Sequence, residues 1–595
     1  VMAGGDAFAI DFNGDNLIRF EIKTPASKAP ADGKALVTNT GTVRADGGTV
    51  MMTARAARGV MENVINSTGI VEAHSVSNQN GVIVLDGGDG TVNVSGTVDA
   101  SGTQAGQTGG TVNMTGGTVN VADNTTITAS GYAGGGQVNI GGEAHGQGTL
   151  AHAQYVNVGN ATITADAITN GNGGSVVLWS DGSTAFNGSI SAQGGLLGGN
   201  GGFVETSGHN LGVGLNAHVN TTAGKGATGT WLLDPDYIYI VDEGGDDPSC
   251  SASSCYIEPG SIVSALDTTN VTLIATNYIE VDDPVNYTSS NTFSLLSGGN
   301  IDVFADILNH GSGDINLVAG WDGETGWNSE TNTFTIATVI ANPESYGSGG
   351  DVTIAAPCND CDPAVGSFSG TTTVATNNLF IDAANGPAQL GYQGAGGGDI
   401  SVYALGDVTL TGSDDEFCSF CYAQIGNGGA EIEGGNSGNI TVIAGGDVTL
   451  TAGVGSATWA YAQIGNGGDT SSGNASGDIV VSAGGSVTLT GAHDYAQIGN
   501  GGLFSSGSYS GDVTVEAGGD ITLTGGSGEP YGYTQIGNGG EYADGNASGD
   551  IHVDSGGGIT LTSETDSENY ALIGNGGFGV DSGDASGNVY LSAQG

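Results

Sequence analysis

Tyr422-Ala423-Gln424-Ile425-Gly426-Asn427-Gly428-Gly429 returns in near-copy at Tyr461 to Gly468, Tyr495 to Gly502, Tyr533 to Gly540 and Tyr570 to Gly577. Between copies runs a second constant block, as in Asn439-Ile440-Thr441-Val442-Ile443-Ala444-Gly445-Gly446-Asp447-Val448-Thr449-Leu450-Thr451. Each unit therefore offers three short strand-like runs punctuated by glycine, which marks a repeat protein. Measured from the Ala or Thr before Gln, the period is 39, 34, 38 and 37 residues. The length changes fall before the Tyr and after the Gly-Gly. A single triangular coil with two variable loops fits this, and so do two short coils per repeat.

Alternation assigns the roles. Ala423/Ile425, Ile440/Val442 and Val448/Leu450 occupy alternate positions and are expected to point inward, stacked on their counterparts in the next coil. Asn427, Asn466, Asn500, Asn538 and Asn575 recur at one glycine-flanked turn. That pattern predicts a ladder of side-chain amides, with a ligand-binding row as the other reading. Gln424, Gln463, Gln497 and Gln535 form a second row, interrupted by Leu572, which reads as an outward position tolerant of substitution.

Outward from the repeat, composition agrees with an ordered β array. The 595 residues include 113 Gly and only 11 Pro, with 37% apolar and 12% charged residues. An ordinary mixed globule is excluded, and glycine at regular offsets argues against a disordered linker. The net charge of −54 comes from 62 acids and 8 bases, and no Lys or Arg follows Lys225. Nucleic acids and anionic membranes both need basic side chains to neutralise phosphate, so neither is an expected partner. There is no apolar run of about 18 residues, so membrane insertion is not expected.

Three regions follow in order. Residues 1–240 carry strand patterns such as Gly110-Thr111-Val112-Asn113-Met114 and Thr118-Val119-Asn120-Val121, with one stretch of helical composition, Ala54 to Asn66. Residues 241–398 keep the strand pattern but gain loops that bear cysteine and tryptophan. Residues 399–595 hold the clean repeat. Antiparallel hairpins would satisfy the alternation, but identical motifs at long regular spacing favour stacked parallel coils about 4.8 Å apart. The fold expected is all-β, a parallel β-helix of about twenty coils and on the order of 100 Å long.

Between Gly69 and Ile240 the sequence resembles a known family. The carrying motifs are Ala161-Thr162-Ile163-Thr164-Ala165-Asp166-Ala167, Gly174-Ser175-Val176-Val177-Leu178-Trp179-Ser180-Asp181, Ile190-Ser191-Ala192-Gln193-Gly194-Gly195, Gly198 to Gly208 and Gly229-Thr230-Trp231-Leu232-Leu233-Asp234-Pro235. In this order they are similar to filamentous-haemagglutinin-type proteins, the large exoproteins of two-partner secretion. The resemblance implies a right-handed parallel β-helix, export through an outer-membrane pore of a Gram-negative bacterium, and adhesion or surface display. That family's N-terminal secretion domain, with its signal peptide and Asn-Pro motifs, is not found here. The chain thus reads as a processed or partial piece, or as one exported differently.

The remaining candidates are weaker. Cys250/Cys255, Cys358/Cys361 and Cys418/Cys421 are local pairs that suit loop disulfides in an oxidising compartment. A zinc site from the two C-x-x-C pairs would need distant loops brought together, and no matching His pair lies between them. Asp414, Asp415 and Glu416 form an acidic loop cluster, a weak calcium candidate against the plainer reading of solvated charge. His145, His152, His209 and His218 lack ligand spacing and read as surface groups. Trp321, Trp327 and Trp459 are candidate glycan contacts, though packing against the coils explains them equally well. No carboxylate cluster recurs with a positioned partner, and the region after Lys225 has no base to serve a lyase, so no enzyme is expected. These readings converge on an extracellular structural shaft, with no cofactor except for that calcium candidate. Its expected partner is a second copy stacked head to tail, or more of the same chain, because solenoid ends need covering. A glycan-binding adhesin and a carbohydrate-active enzyme are the competing readings.

Overall fold

The computed structural model describes residues 1–11, 19–242, 256–358, 361–415, 418, 420–453, 459–526, 531–563 and 569–594. It contains two compact units, Val1–Ile274 and Ala275–Gly595.

In the first unit the coils have three faces, one strand to a face except where Ser175–Phe186 and Phe203–Val213 each run unbroken over two. Val82–Asp86, Thr91–Val94 and Thr97–Asp99 make one coil, and Thr111–Thr115, Thr118–Val121 and Thr126–Thr128 make the next. Equivalent strands pair in parallel and in register: Val82 with Thr111, Thr91 with Thr118, and Thr97 with Thr126. The third face forms a 7-stranded sheet, which counts seven such coils. Alternation sets the core as expected. Ile83, Leu85, Val112, Met114, Val138 and Ile140 are wholly buried, so each coil covers the next.

Two local features of this unit depart from the coil pattern. The stretch Ala54 to Asn66 forms no helix: Ala56 bridges Ala26, and Asn63–Ser67 is a strand paired with Thr91–Val94. Stacking on a preformed neighbour outweighs the weak helical preference of alanine and arginine here. The helix of this unit instead lies at Pro259–Leu266, with Pro at its start and Ile262, Ala265 and Leu266 buried. After Met2–Gly4, which pairs in parallel with Met52–Ala54, Ala7–Asp11 and Arg19–Thr24 pair as an antiparallel hairpin.

In the second unit the clean repeat is one coil, not two. Val448–Thr451, Ala462–Ile464 and Ile479–Ala483 form its three sides, and a short strand, Ala475–Ser476, precedes the last. The side containing Ala462–Ile464 belongs to a 9-stranded sheet, giving nine coils. The largest insertion, after Ile315–Ala319, holds a small hairpin, Trp327–Asn328 with Thr333–Phe334, and the helix Ile336–Ile340.

Glycine at the corner is dictated by contact. Gly428, Gly467, Gly501 and Gly539 have φ of +118°, +100°, +116° and +105°. A Cβ on Gly426 would fall on the carbonyl oxygen of Gly465 in the next coil.

Candidate functional site

The repeated motif is built from three buried ladders. The rings of Tyr422, Tyr461, Tyr495, Tyr533 and Tyr570 stack face to face with centroids 4.8, 4.8, 4.9 and 5.0 Å apart. Each hydroxyl donates to the glutamine of the coil before it: Tyr461 to Gln424 at 3.1 Å, Tyr495 to Gln463 at 3.2 Å and Tyr533 to Gln497 at 3.1 Å. Burial pushes these phenols well above the usual tyrosine range, so they stay protonated donors.

The glutamines complete a relay toward the following coil. Gln424 Nε2 donates to the carbonyls of Gly465 and Gly467 at 2.9 and 3.0 Å, and Gln463 Nε2 to those of Gly499 and Gly501 at 3.0 Å each. This corrects the outward, tolerant reading of the row, since Gln424, Gln463, Gln497 and Gln535 are fully buried. They lie opposite the alternating Ala and Ile, but that side of the strand is covered by the tyrosine ladder and the loop after Gly-Gly.

Asparagine ties the corner in two directions. Asn427 donates its backbone N–H to Asn466 Oδ1 at 3.0 Å, and Asn466 and Asn500 do the same to the next asparagine at 3.1 and 3.0 Å. Their Nδ2 groups reach across the loop, Asn466 to Gly438 at 2.8 Å and Asn500 to Gly477 at 2.9 Å. Asn538 donates likewise to Asn575 Oδ1 at 3.0 Å. A second asparagine ladder, which the sequence reading missed, lies on the first unit: Asn93 to Asn63 at 2.7 Å, Asn120 to Asn93 at 2.9 Å and Asn157 to Asn120 at 2.9 Å. Its signal was the asparagine between two valines in Thr91–Val94 and Thr118–Val121.

The other sequence candidates scatter. Cys358 bonds to Cys361 and Cys418 to Cys421, with Cα separations of 5.1 and 6.0 Å. Cys250, Cys255 and Glu416 lie outside the described residues. Asp414 and Asp415 are exposed, and the Asp415 amide donates to Ser413 Oγ at 3.0 Å. Among the described residues no three His, Cys, Asp or Glu side chains gather as a metal site.

Trp321 is corrected as a glycan contact. It is buried, donates Nε1 to the Thr325 carbonyl at 2.8 Å and packs edge-on against Phe334, holding the insertion to its own base. Trp327 is half-buried in the small hairpin. Trp459 is half-buried, with its ring stacked on Phe420 at 4.2 Å.

His145 is more than a surface group. The backbone N–H of His145 donates to both oxygens of Glu205 at 3.0 and 3.1 Å, and its ring stacks on Phe203. Glu205 sits between inward Val204 and Thr206, of which Thr206 accepts from Trp231 Nε1 at 3.0 Å. It therefore points away from the core, yet it is fully buried beneath the turn at Ala144–Gly146. Burial pushes its carboxyl up to about 8, and Asp234 close by adds to the effect. Asp234 itself is pushed up to about 7 by burial and by Asp236. Two protonatable carboxyls meet here, but the glutamate has no exposed surface to offer a substrate. Among the described residues no helix is long and apolar enough to cross a membrane. Comparison of the chain with protein-family models and with curated proteins finds no match to either.

Proposed function

We propose that this chain is a shaft segment of an extracellular fibre of the filamentous-haemagglutinin type, a structural element that displays loops and adjoins further coils at its ends. The observation that carries this reading is the fate of the repeated motif. Its tyrosine, glutamine and asparagine side chains are all engaged in bonds to the neighbouring coil, so repetition serves cohesion and leaves none of those groups facing outward. The net charge of −54 keeps neighbouring shafts apart laterally, which favours growth along the coil axis. Paired cysteines suit an oxidising compartment outside the cell.

Electron microscopy of the purified protein over a range of concentrations tests this. Fibres longer than one chain, lengthening with concentration and with added salt, are the expected result. Single particles of constant length at every concentration would overturn self-assembly by end stacking.

A further inference from the structure

Eleven described non-glycine residues are held at positive φ, and five of them are aromatic: Phe420 and Trp459 at +67°, Phe504 and Tyr542 at +50°, and Tyr531 at +83°. A bulky side chain in that region is an outlier, since asparagine, aspartate and histidine are the usual non-glycine occupants. The positions are not scattered. Phe420, Trp459 and Tyr531 each stand two residues before a ladder tyrosine, and Phe504 and Tyr542 each stand two residues after a Gly-Gly pair. At the second of these positions other repeats carry Glu431, Thr470 and Gly579, also at positive φ. The turn at that position therefore accepts glutamate, threonine or glycine, and the rings of Phe504 and Tyr542 are not required by the fold.

The rings fall into two groups: Phe420 stacks on Trp459 at 4.2 Å, and Phe504, Tyr531, Tyr542 and Phe578 adjoin one another. Phe504 stacks on Tyr542 at 5.3 Å, Tyr531 meets both edge-on at 5.2 and 6.3 Å, and Phe578 meets Tyr542 at 6.0 Å. Phe504 and Phe578 are 44% and 46% exposed, and Tyr531 and Tyr542 beside them are half-buried. Close to the strip lie three buried acids, Asp469, Asp494 and Glu541. Asp494 accepts from the backbone N–H groups of Ala460 and Tyr495 at 2.9 Å each, but burial pushes its carboxyl up to about 7 and that of Asp469 well above the usual range, so the negative charge beside the rings comes from exposed Glu431 and Glu433 on the turn after Gly428-Gly429. No Lys or Arg follows Lys225, so nothing in this unit offers a fixed positive charge to an anion.

Aromatic faces in a field of one negative sign attract cations, and stacked rings offer flat surfaces to sugar units. Coils about 4.8 Å apart present such rings repeatedly along one direction, which suits a polymer over a small molecule. We infer that the strip formed by Phe420, Trp459, Phe504, Tyr531, Tyr542 and Phe578 binds a polysaccharide bearing protonated amines, of the glucosamine-polymer class. This site is independent of end-to-end assembly.

Calorimetric titration of the full chain with glucosamine oligomers, N-acetylglucosamine oligomers and lysine oligomers at one slightly acidic pH tests the assignment. Glycine is at ease at these backbone angles, so Phe504→Gly and Tyr542→Gly remove rings while the unfolding midpoint stays near that of the parent chain. Expected are saturable binding of the glucosamine oligomer, roughly fivefold weakening for each ring removed, and retained binding in Trp459→Phe. The acetylated oligomer should bind far more weakly, and the weak binding of the lysine oligomer should be unchanged by the variants. Absent binding of the glucosamine oligomer, or binding unaltered in the double glycine variant with its midpoint intact, overturns the site. Equal binding of the acetylated oligomer overturns the amine assignment. A matching loss for the lysine oligomer overturns the saccharide assignment.

Discussion

The ring of Tyr495 lies flat on that of Tyr461, 4.8 Å away and 5° from parallel, while its hydroxyl donates to Gln463 at 3.2 Å. Gln463 in turn donates to the carbonyls of Gly499 and Gly501 in the coil that carries Tyr495. The two residues thus join adjacent coils through one amide that serves three partners. Substituting Gln463→Leu leaves a buried hydroxyl and two carbonyls without that amide, at a cost of about 3 kcal/mol. Tyr495→Phe removes one hydrogen bond but keeps the stack, at a cost of about 1 kcal/mol. Hydrogen exchange at Gly499 and Gly501 measures both locally, and equal protection in the two variants would contradict the relay.

Asn500 makes a sharper test of the corner. It accepts from the Asn466 N–H and Nδ2 at 3.1 and 3.2 Å and donates to Gly477 and Ser510 carbonyls at 2.9 and 3.1 Å. Asn500→Asp keeps the shape and the acceptor but turns the two donated bonds into contacts between a carboxylate and carbonyl oxygens. We expect it to cost more than Asn500→Ala, which loses about 2 kcal/mol. Urea unfolding of the two variants ranks them, and the opposite order would show that the side chain mainly fills space.

How much of this was legible depended on what alternation can express. The side chains Ile440/Val442 and Val448/Leu450 are wholly buried because period 2 fixes the core face and stacked copies leave no other partner. Gln424 was misread because alternation only says that a residue lies opposite the core. Whether that opposite side is wet depends on a loop and on the ladder of tyrosines, both distant in sequence. Trp321 failed for a related reason, since an aromatic in a polar insertion can be the small core of that insertion. Glu205 lies within the family-like stretch Gly198 to Gly208, yet its cover comes from the excursion around His145, 60 residues earlier. The aromatic strip was visible only through Trp459, because left-handed backbone angles leave no mark in the sequence when the residue is neither glycine nor asparagine.

A column of acids on the second unit predicts an effect of charge. Asp512 donates its N–H to Asp478 Oδ1 at 2.9 Å and accepts from the Asp550 N–H at 2.8 Å, so three carboxylates follow one another coil by coil. Asn439 and Asn588 occupy the same column, which shows that an amide fits. Asp512→Asn keeps the side-chain acceptor and removes repulsion between exposed charges, stabilising the unit by about 0.5 kcal/mol at low salt. Thermal unfolding in low and high salt should show that gain shrinking as salt rises. A loss of stability at low salt would mean that the carboxylate is needed for something other than its backbone contact.

Glu205 makes the stability of the first unit depend on pH in a direction opposite to that of a salt-bridged acid. Its folded value, about 8, lies above the ordinary 4.5 because burial disfavours the charged form. Below pH 4.5 both folded and unfolded chains hold the proton and no penalty exists. Between there and about pH 8 the unfolded chain releases it while the folded chain keeps it, so stability falls as pH rises, by about 1.4 kcal/mol per pH unit. Asp234, raised from 3.8 to about 7, adds a loss of the same sign over its own window. Glu205→Gln retains an oxygen for the His145 N–H and cannot ionise, so it should remove the Glu205 share of the slope and be the more stable protein at pH 8. Hydrogen exchange over residues 143–152, compared between pH 5 and pH 8 after correction for intrinsic rates, reads the change where it acts. Parent and variant losing protection in parallel would show that another group drives it.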